Sequence, residues 1–222
     1  MHQRTNKKIF VYLLIFFTLV TINNKKLSYD FYKINKFNIN GLSQIETEKL
    51  INNFEIFRNT NIFTFKKKNI SKIIYDNKII EDFSVIKVYP STLNIDIQKT
   101  KILARTKKNG KDYLVLGNGN LITTENSIFE LPFIFGNLNI DNFIKLKDII
   151  DSSKFDFKSI KSFYYFKSNR WDILTNEGLT LKMPYNLTVQ KLNFIFKIVK
   201  KETFNNVKIF DFRQKNMMVI DG

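Results

Sequence analysis

Val85-Ile86-Lys87-Val88-Tyr89-Pro90-Ser91-Thr92-Leu93-Asn94-Ile95-Asp96-Ile97-Gln98 reads as two strands around a turn, and with the exit at 99–105 it decides the fold of the chain's first half. Leu93, Ile95 and Ile97 alternate with Asn94, Asp96 and Gln98, the period of a strand with one dry and one wet face. A proline cannot donate to a ladder from a strand interior, so Pro90-Ser91-Thr92, between two runs rich in β-branched residues, is the hairpin connection. Upstream, Phe37 and Ile39 alternate toward Gly41. Ser43-Gln44-Ile45-Glu46 then has the capping-box form, a hydroxyl at the helix start and a carboxylate three positions on. The following helix carries Ile45, Leu50, Ile51, Phe54 and Phe57 on one broad face, and a second carries Ile70, Ile73, Ile74 and Ile80. The order is strand, helix, helix, strand, strand.

With Gly41 after the first strand, Asn61-Ile62-Phe63 between the helices and Val88-Tyr89-Pro90-Ser91-Thr92-Leu93 in the hairpin, this unit resembles a POTRA module, and specifically that of the FtsQ/DivIB family. The resemblance continues through Tyr113-Leu114-Val115-Leu116-Gly117-Asn118-Gly119-Asn120-Leu121-Ile122, Leu131-Pro132-Phe133-Ile134-Phe135-Gly136 and Phe210-Asp211-Phe212-Arg213. These are similar to the family's Asn-Gly hairpin, its Leu-Pro-x-x-x-Gly segment and its terminal Asp-x-Arg strand. The chain departs from the family pattern at Asp82-Phe83-Ser84-Val85, where an aromatic is shifted, and in its short N-terminal tail and near-absent tail after the last strand.

Composition fits a folded protein of one or two domains. The chain has 222 residues, 44% apolar, with 7 glycines and 3 prolines and no Gly- or Ser-rich linker, so a domain junction has to be tight. The boundary is expected near Ile102. There is no cysteine, and His2 is the single histidine. Thiol nucleophiles, thiolate zinc sites, serine-histidine triads and multi-histidine metal centres therefore lack their parts. Among the carboxylates, Glu46 is explained by capping. Glu81-Asp82, Asp148 and Asp151 sit beside loops or on wet helix faces, with no spacing that pairs a general acid with a base. Gly117-Asn118-Gly119 lacks the following helix that a phosphate loop needs.

The net charge of +16 invites a nucleic-acid reading. The lysines are scattered, however, and the one tight cluster, Lys66-Lys67-Lys68, falls in an inter-helix connection. Isoleucine, asparagine, lysine and phenylalanine abundant together are what an A+T-rich coding bias produces without selection for a partner. Attraction to an anionic membrane surface is the weaker alternative use of this charge.

Residues 9–22 carry no charge. As a helix they span about 21 Å, short of the ~30 Å hydrocarbon core. Counting from Lys7 to Lys26 adds snorkelling ends and brings the length to about 30 Å. No small-x-small cleavage site follows, so the segment reads as an uncleaved signal-anchor over 9–25. Basic residues flank it on both sides, Arg4, Lys7 and Lys8 before and Lys25, Lys26, Lys33 and Lys36 after, and the charge rule does not orient it.

From Leu103 onward strands predominate. Asn118-Gly119 is the dipeptide that best tolerates the positive φ angles of a type I′ hairpin. Asn176-Glu177-Gly178 marks a second hairpin, with Trp171 and Ile173 on one face. Helices are expected around Ile144, Leu146, Ile149 and Ile150, and around Val189, Leu192, Ile195, Phe196 and Val199. Most of the 23 phenylalanines belong to cores. The last strands are expected at 207–212 and 217–220, with Asp211 and Arg213 between apolar neighbours. On residues alone, two readings of this end stand level: an open edge for a partner strand, or a local Asp211–Arg213 pair at the end of a sheet.

The expected fold is α+β: a single N-terminal transmembrane helix, a POTRA module (β-α-α-β-β), then a mainly antiparallel β domain with packed helices. The expected boundaries are a tail at 1–8, the anchor at 9–25, the POTRA domain at 33–102 and the β domain at 103–222. The family resemblance implies a non-enzymatic scaffold of cell division without cofactor, metal, nucleic acid or small-molecule substrate. It also implies an inner-membrane, single-pass type II placement with the C-terminal bulk in the periplasm. FtsB and FtsL are the implied partners, with other divisome membrane proteins. The implied partner surface, reached by strand addition, is Phe210, Asp211, Phe212, Arg213, Gln214, Met217, Met218 and Val219. The rival reading is a POTRA protein of outer-membrane assembly or secretion. Such proteins usually continue into a barrel, for which about 120 remaining residues leave little space.

Overall fold

A computed structural model describes residues 3–21, 32–124, 130–204, 206–214 and 217–221. The chain divides into two compact units, one of residues 1–76 with 82–98 and one of residues 77–81 with 99–222. In the first, strand β1 (Lys36–Asn40) is followed by helices α2 (Gln44–Phe54) and α3 (Lys67–Tyr75) and by strands β2 (Ile80–Val88) and β3 (Thr92–Lys99). The N-terminal helix α1 spans Gln3–Thr21.

The three strands lie in the order β1-β3-β2, and β1 runs parallel to β3 with Phe37 opposite Leu93 and Ile39 opposite Ile95. That register turns Phe37, Leu93 and Ile95 toward the helices, where Leu50, Phe54, Ile70 and Ile74 close the core. The other face is wet, with Asn38 and Asn40 donating to Asn94 and Asp96 across the sheet at 2.9 and 2.8 Å. Phe54 is fully buried, worth about 2–3 kcal/mol of apolar transfer.

The cap of α2 forms as its sequence predicts, with Glu46 Oε2 accepting from the Ser43 backbone N–H at 2.9 Å and from its hydroxyl at 2.7 Å. That cap fixes where the helix begins and so corrects its apolar face. Ile45 falls in the first turn, about 140° around the axis from Leu50, and is 80% exposed. Phe57 lies beyond the helix in a 3-10 turn, Glu55–Phe57. Ile80 is not on α3, which ends at Tyr75, but is the buried first residue of β2. Lys67 and Lys68 are not in a connection: they open α3, and Lys67 pairs with Asp82 at 3.4 Å. The β2–β3 turn forms around Pro90, but it covers Tyr89-Pro90-Ser91, one residue earlier than the expected Pro90-Ser91-Thr92, because Thr92 already opens β3 opposite Lys36.

In α1, the described apolar side chains from Ile9 to Phe17 are exposed. No helix among the described residues is long and apolar enough to cross a membrane. Residues 22–25 of the expected anchor lie outside the described residues.

The second unit holds, among its described residues, a nine-stranded sheet. Its strands are β4 (Ile102–Lys108), β5 (Lys111–Leu116), β6 (Leu121–Thr123), β7 (Phe133–Phe135), β8 (Ile160–Phe166), β9 (Arg170–Thr175), β10 (Thr180–Lys182), β11 (Ile209–Asp211) and β12 (Val219–Asp221). The spatial order is β12-β11-β10-β9-β8-β7-β4-β5-β6. Most neighbours are antiparallel, but three pairs are parallel: β7–β8 and β10–β11, where α4 (Ile140–Asp151) and α5 (Val189–Val199) intervene as crossovers, and β4–β7, between which the chain runs through β5 and β6. Phe143, Leu146 and Ile150 of α4 join Leu192 and Ile195 of α5 in one core with Ile134, Phe163, Trp171, Ile173, Leu181 and Phe210.

Two details differ from expectation. The last strands are shorter than 207–212 and 217–220, because β11 pairs only where β10 faces it. At Asn118-Gly119 the hairpin forms, but of that pair only Gly119 takes a positive φ, so the turn is not type I′. Asn118 is held by its side chain instead, with Nδ2 donating to the carbonyls of Lys78 and Ile80 and Oδ1 accepting from Asn120 N–H.

Gly41 and Gly136 are required by close approach. A Cβ would sit 1.9 Å from the Ile97 carbonyl oxygen at Gly41 (φ +91°) and 2.2 Å from the Tyr165 carbonyl oxygen at Gly136 (φ +99°). At Gly110 the φ of +78° faces open space. Gly110→Ala should therefore cost only the left-handed penalty of about 1–2 kcal/mol. Gly41→Ala and Gly136→Ala should each cost at least about 1–3 kcal/mol more, because backbone has to move. Denaturant unfolding of the three variants checks the ranking, and equal losses would remove the close-approach argument.

Candidate partner-binding surface

Phe210 is the most deeply buried side chain of the terminal strands. Phe210 sits opposite Leu181 in the parallel β10–β11 pair and opposite Ile220 in the antiparallel β11–β12 pair. It is 1% exposed, parallel to the Phe212 ring at 6.0 Å and edge-on to Phe204 at 5.6 Å. The strand alternation that buries Phe210 turns Asp211 to the opposite face, in register with Lys182, which is itself in register with Asp172. A row of charge results across three strands, on the face away from α4 and α5.

Arg213 closes over Asp211. Its backbone N–H donates to Oδ1 at 3.0 Å, its Nε reaches both carboxylate oxygens at 2.8 Å, and its Nη2 also donates to Oδ2. These hydrogen bonds hold the Asp211 carboxyl below its ordinary value, against a burial that pushes the other way. Asp172 is shifted oppositely. Burial raises its pKa, and Arg170, Arg213 and Lys182 only partly offset this. Arg170 Nε lies 3.4 Å from Asp172 Oδ1, near enough for attraction, yet neither atom has an aligned hydrogen bond.

On the core side a groove of about 620 Å³ opens between the chain end and α5. Of the eight residues predicted for a partner surface, Phe212, Arg213, Gln214, Met217 and Met218 line it. Val219 lies on β12, the outermost strand, and is 51% exposed. Phe210 belongs to the core and Asp211 to the opposite face. Gln214 lies in a bend outside both terminal strands, so it has no place in a ladder. The opposite wall, from Tyr185, Lys191, Phe194 and Ile198, was not foreseen. Its signal was Phe194, an exposed phenylalanine on α5 between the buried Leu192 and Ile195. β12 has no strand on its far side among the described residues. No group of three or more His, Cys, Asp or Glu there is placed to hold a metal ion.

Comparisons with known proteins assign both units. Residues 32–99 match the model of the POTRA domain, FtsQ-type, and residues 104–213 match that of the cell division protein FtsQ/DivIB, C-terminal. The chain is similar to the cell division protein DivIB of Bacillus subtilis strain 168, at 24% identity over 210 residues, covering 91% of this chain and 80% of that protein. It is 33% identical over 96 residues to DivIB of Staphylococcus aureus strain NCTC 8325 / PS 47. That stretch is 43% of this chain and only 22% of the S. aureus protein's length. Among solved structures, the major extracytoplasmic domain of the trans isomer of DivIB from Geobacillus stearothermophilus aligns with 49% of this chain and 98% of its own, at 14% identity and a TM-score of 0.35.

The two carboxylates should titrate with opposite signs. Asp211, depressed in the fold, contributes stability above its unfolded value of 3.8 that is lost as pH falls through its lower folded value. Asp172, raised in the fold, makes stability fall as pH climbs from 3.8 through its folded value. Thermal unfolding against pH should show a flatter acid limb for Asp211→Asn and a smaller decline on the rising side for Asp172→Asn. The same pH profile in both variants and the parent would show that neither carboxyl is perturbed.

Proposed function

The chain belongs to the FtsQ/DivIB family of cell-division proteins, and on that premise we propose that it is a non-enzymatic bitopic scaffold of the divisome. In this reading residues 9–25 anchor it in the inner membrane, residues 1–8 stay cytoplasmic, and the two units after the anchor stand in the periplasm. FtsB, in complex with FtsL, adds a strand to β12. The observation that carries the reading is the outer edge of β12, which has no neighbouring strand among the described residues, beside the apolar groove. An open edge offers backbone donors and acceptors to a partner strand, and a neighbouring groove selects among partners by side chain. Supporting the anchor is α1, whose apolar side chains are exposed and which includes residues 9–21 of the proposed span. The match of 104–213 to the FtsQ/DivIB C-terminal model favours division over a role in outer-membrane assembly, which the POTRA module alone would equally support.

The test follows from where the chain's last residues lie. Truncation after Asn206 would remove Phe210 from the core and confound binding with folding, whereas truncation after Gln214 removes β12 and leaves Phe210 and Phe212 in place. The Gln214 truncation should keep its circular dichroism spectrum and lose FtsB in a pull-down, and depletion of the full protein should leave cells elongated and unseptated. A folded truncation that binds FtsB as the parent does would take β12 out of the mechanism.

A further inference from the structure

Three segments of the first unit meet at one end of its sheet. Residues 32–34 pair with 60–62, Ile34 N–H donating to the Thr60 carbonyl at 3.0 Å and Ile62 N–H to the Tyr32 carbonyl at 2.9 Å. Asn35 N–H donates at 3.0 Å to the carbonyl of Ser91 in the β2–β3 turn. At this junction Tyr32 leans on Phe63 with ring centroids 5.0 Å apart, and Phe63 stacks on Tyr89 at 4.9 Å and 22°. All three rings stay 42–55% exposed, so they touch one another rather than the core. Lys87 Nζ caps the cluster by donating to the Phe63 carbonyl at 3.0 Å.

The charge around the rings is predominantly positive. Residues 32–36, 60–68 and 86–92 contain Lys33, Lys36, Lys66, Lys67, Lys68 and Lys87 and no Asp or Glu. Two carboxylates nearby are paired with cations, Asp82 with Lys67 and Glu55 with Arg58, which also donates to the Asn35 carbonyl. Exposed tyrosine and phenylalanine beside lysines is the composition that partitions into the headgroup region of an anionic bilayer. The rings enter the interface and the ammonium groups meet lipid phosphates. An acidic peptide could meet the lysines, but three adjoining half-exposed rings suit a broad apolar boundary. The position in the chain points the same way. Tyr32 follows the end of α1 at Thr21 by a segment, 22–31, that spans at most about 35 Å even fully extended, so an inserted α1 holds this end within reach of the surface.

We propose that the Tyr32–Phe63–Tyr89 cluster and its lysines form a docking face for the anionic lipid surface, holding the first unit against the membrane in one orientation. The proposal rests on the reading of α1 as an anchor, and the experiment separates the two. The chain has no cysteine, so Thr64→Cys, beside Phe63, and Ile45→Cys can each carry an environment-sensitive fluorophore on the full chain. Ile45 follows the β1 end that pairs with Asp96, and the cluster lies at the end that pairs with Thr92, about 13 Å away along the strand. The labelled proteins are reconstituted into vesicles of phosphatidylcholine alone or mixed with phosphatidylglycerol.

Flotation with neutral vesicles reads the anchor. A blue shift at position 64, on the mixed vesicles, absent at position 45 and lost in 1 M salt, reads the docking face. Lys66→Glu with Lys87→Glu should lower the docked fraction at least about tenfold without changing flotation, and Phe63→Ser with Tyr89→Ser should abolish the shift. A chain that floats, stays folded and shows no shift at position 64 overturns the docking face and leaves the cluster to a protein partner. Equal shifts at 64 and 45 overturn the stated orientation. Failure to float on neutral vesicles with a salt-sensitive shift at 64 on mixed ones retains the docking face and removes the anchor. Failure to float on either overturns both.

Discussion

The burial of Phe210 is the constraint on which the chain's far end depends. Fixed between Leu181 and Ile220 and packed on Phe212, it sets the register of β11, and every neighbour of β11 follows from that register. Because side chains alternate across a strand, a buried Phe210 obliges Asp211 to face away, beside Lys182 and within reach of Arg213. Among the described residues the sheet then ends at β12, with Met217 exposed at the groove. Of the two readings of Asp211 and Arg213 left level by the residues, the local pair forms, and the strand beyond it, β12, is the outermost among the described residues.

The charged row on this sheet face shows two carboxylates with opposite fates. Asp211 has an aligned guanidinium and is stabilised as an anion, while Asp172 is buried with Arg170 near but misaligned. Proximity in a low-dielectric site does not offset desolvation unless hydrogen bonds accompany it. Asp172 therefore remains a costly group in the middle of β9, between Trp171 and Ile173, which are both committed to the core.

In the first unit the same economy of packing leaves a different surface. The helices α2 and α3 present Leu50, Phe54, Ile70 and Ile74 to Phe37, Leu93 and Ile95, and these suffice to close a small core. Rings that arrive at the end of the sheet, Tyr32, Phe63 and Tyr89, stay half-exposed and meet one another, Phe63 stacking on Tyr89 and Tyr32 tilted against Phe63. An aromatic residue in the sequence thus reads as core by composition yet is a surface feature by position.

Local pattern was enough for much of this fold. The alternation around Pro90, the Ser43–Glu46 cap and the apolar periods of α3, α4 and α5 specified elements, because each is written in residues within one or two turns of each other. Ile45 and Ile80 were misplaced for the same reason, since an apolar residue next to a helix joins its face only if the cap and the helix end allow it. What the sequence alone could not decide was who sits opposite whom. The parallel pairing of β10 with β11, the wall that Tyr185 and Phe194 add to the groove, the turning of Asp211 away from the buried Phe210, and the meeting of Tyr32, Phe63 and Tyr89 all join residues far apart in the chain. Those neighbours are chosen by burial and strand register across the whole unit, which local periodicity does not encode.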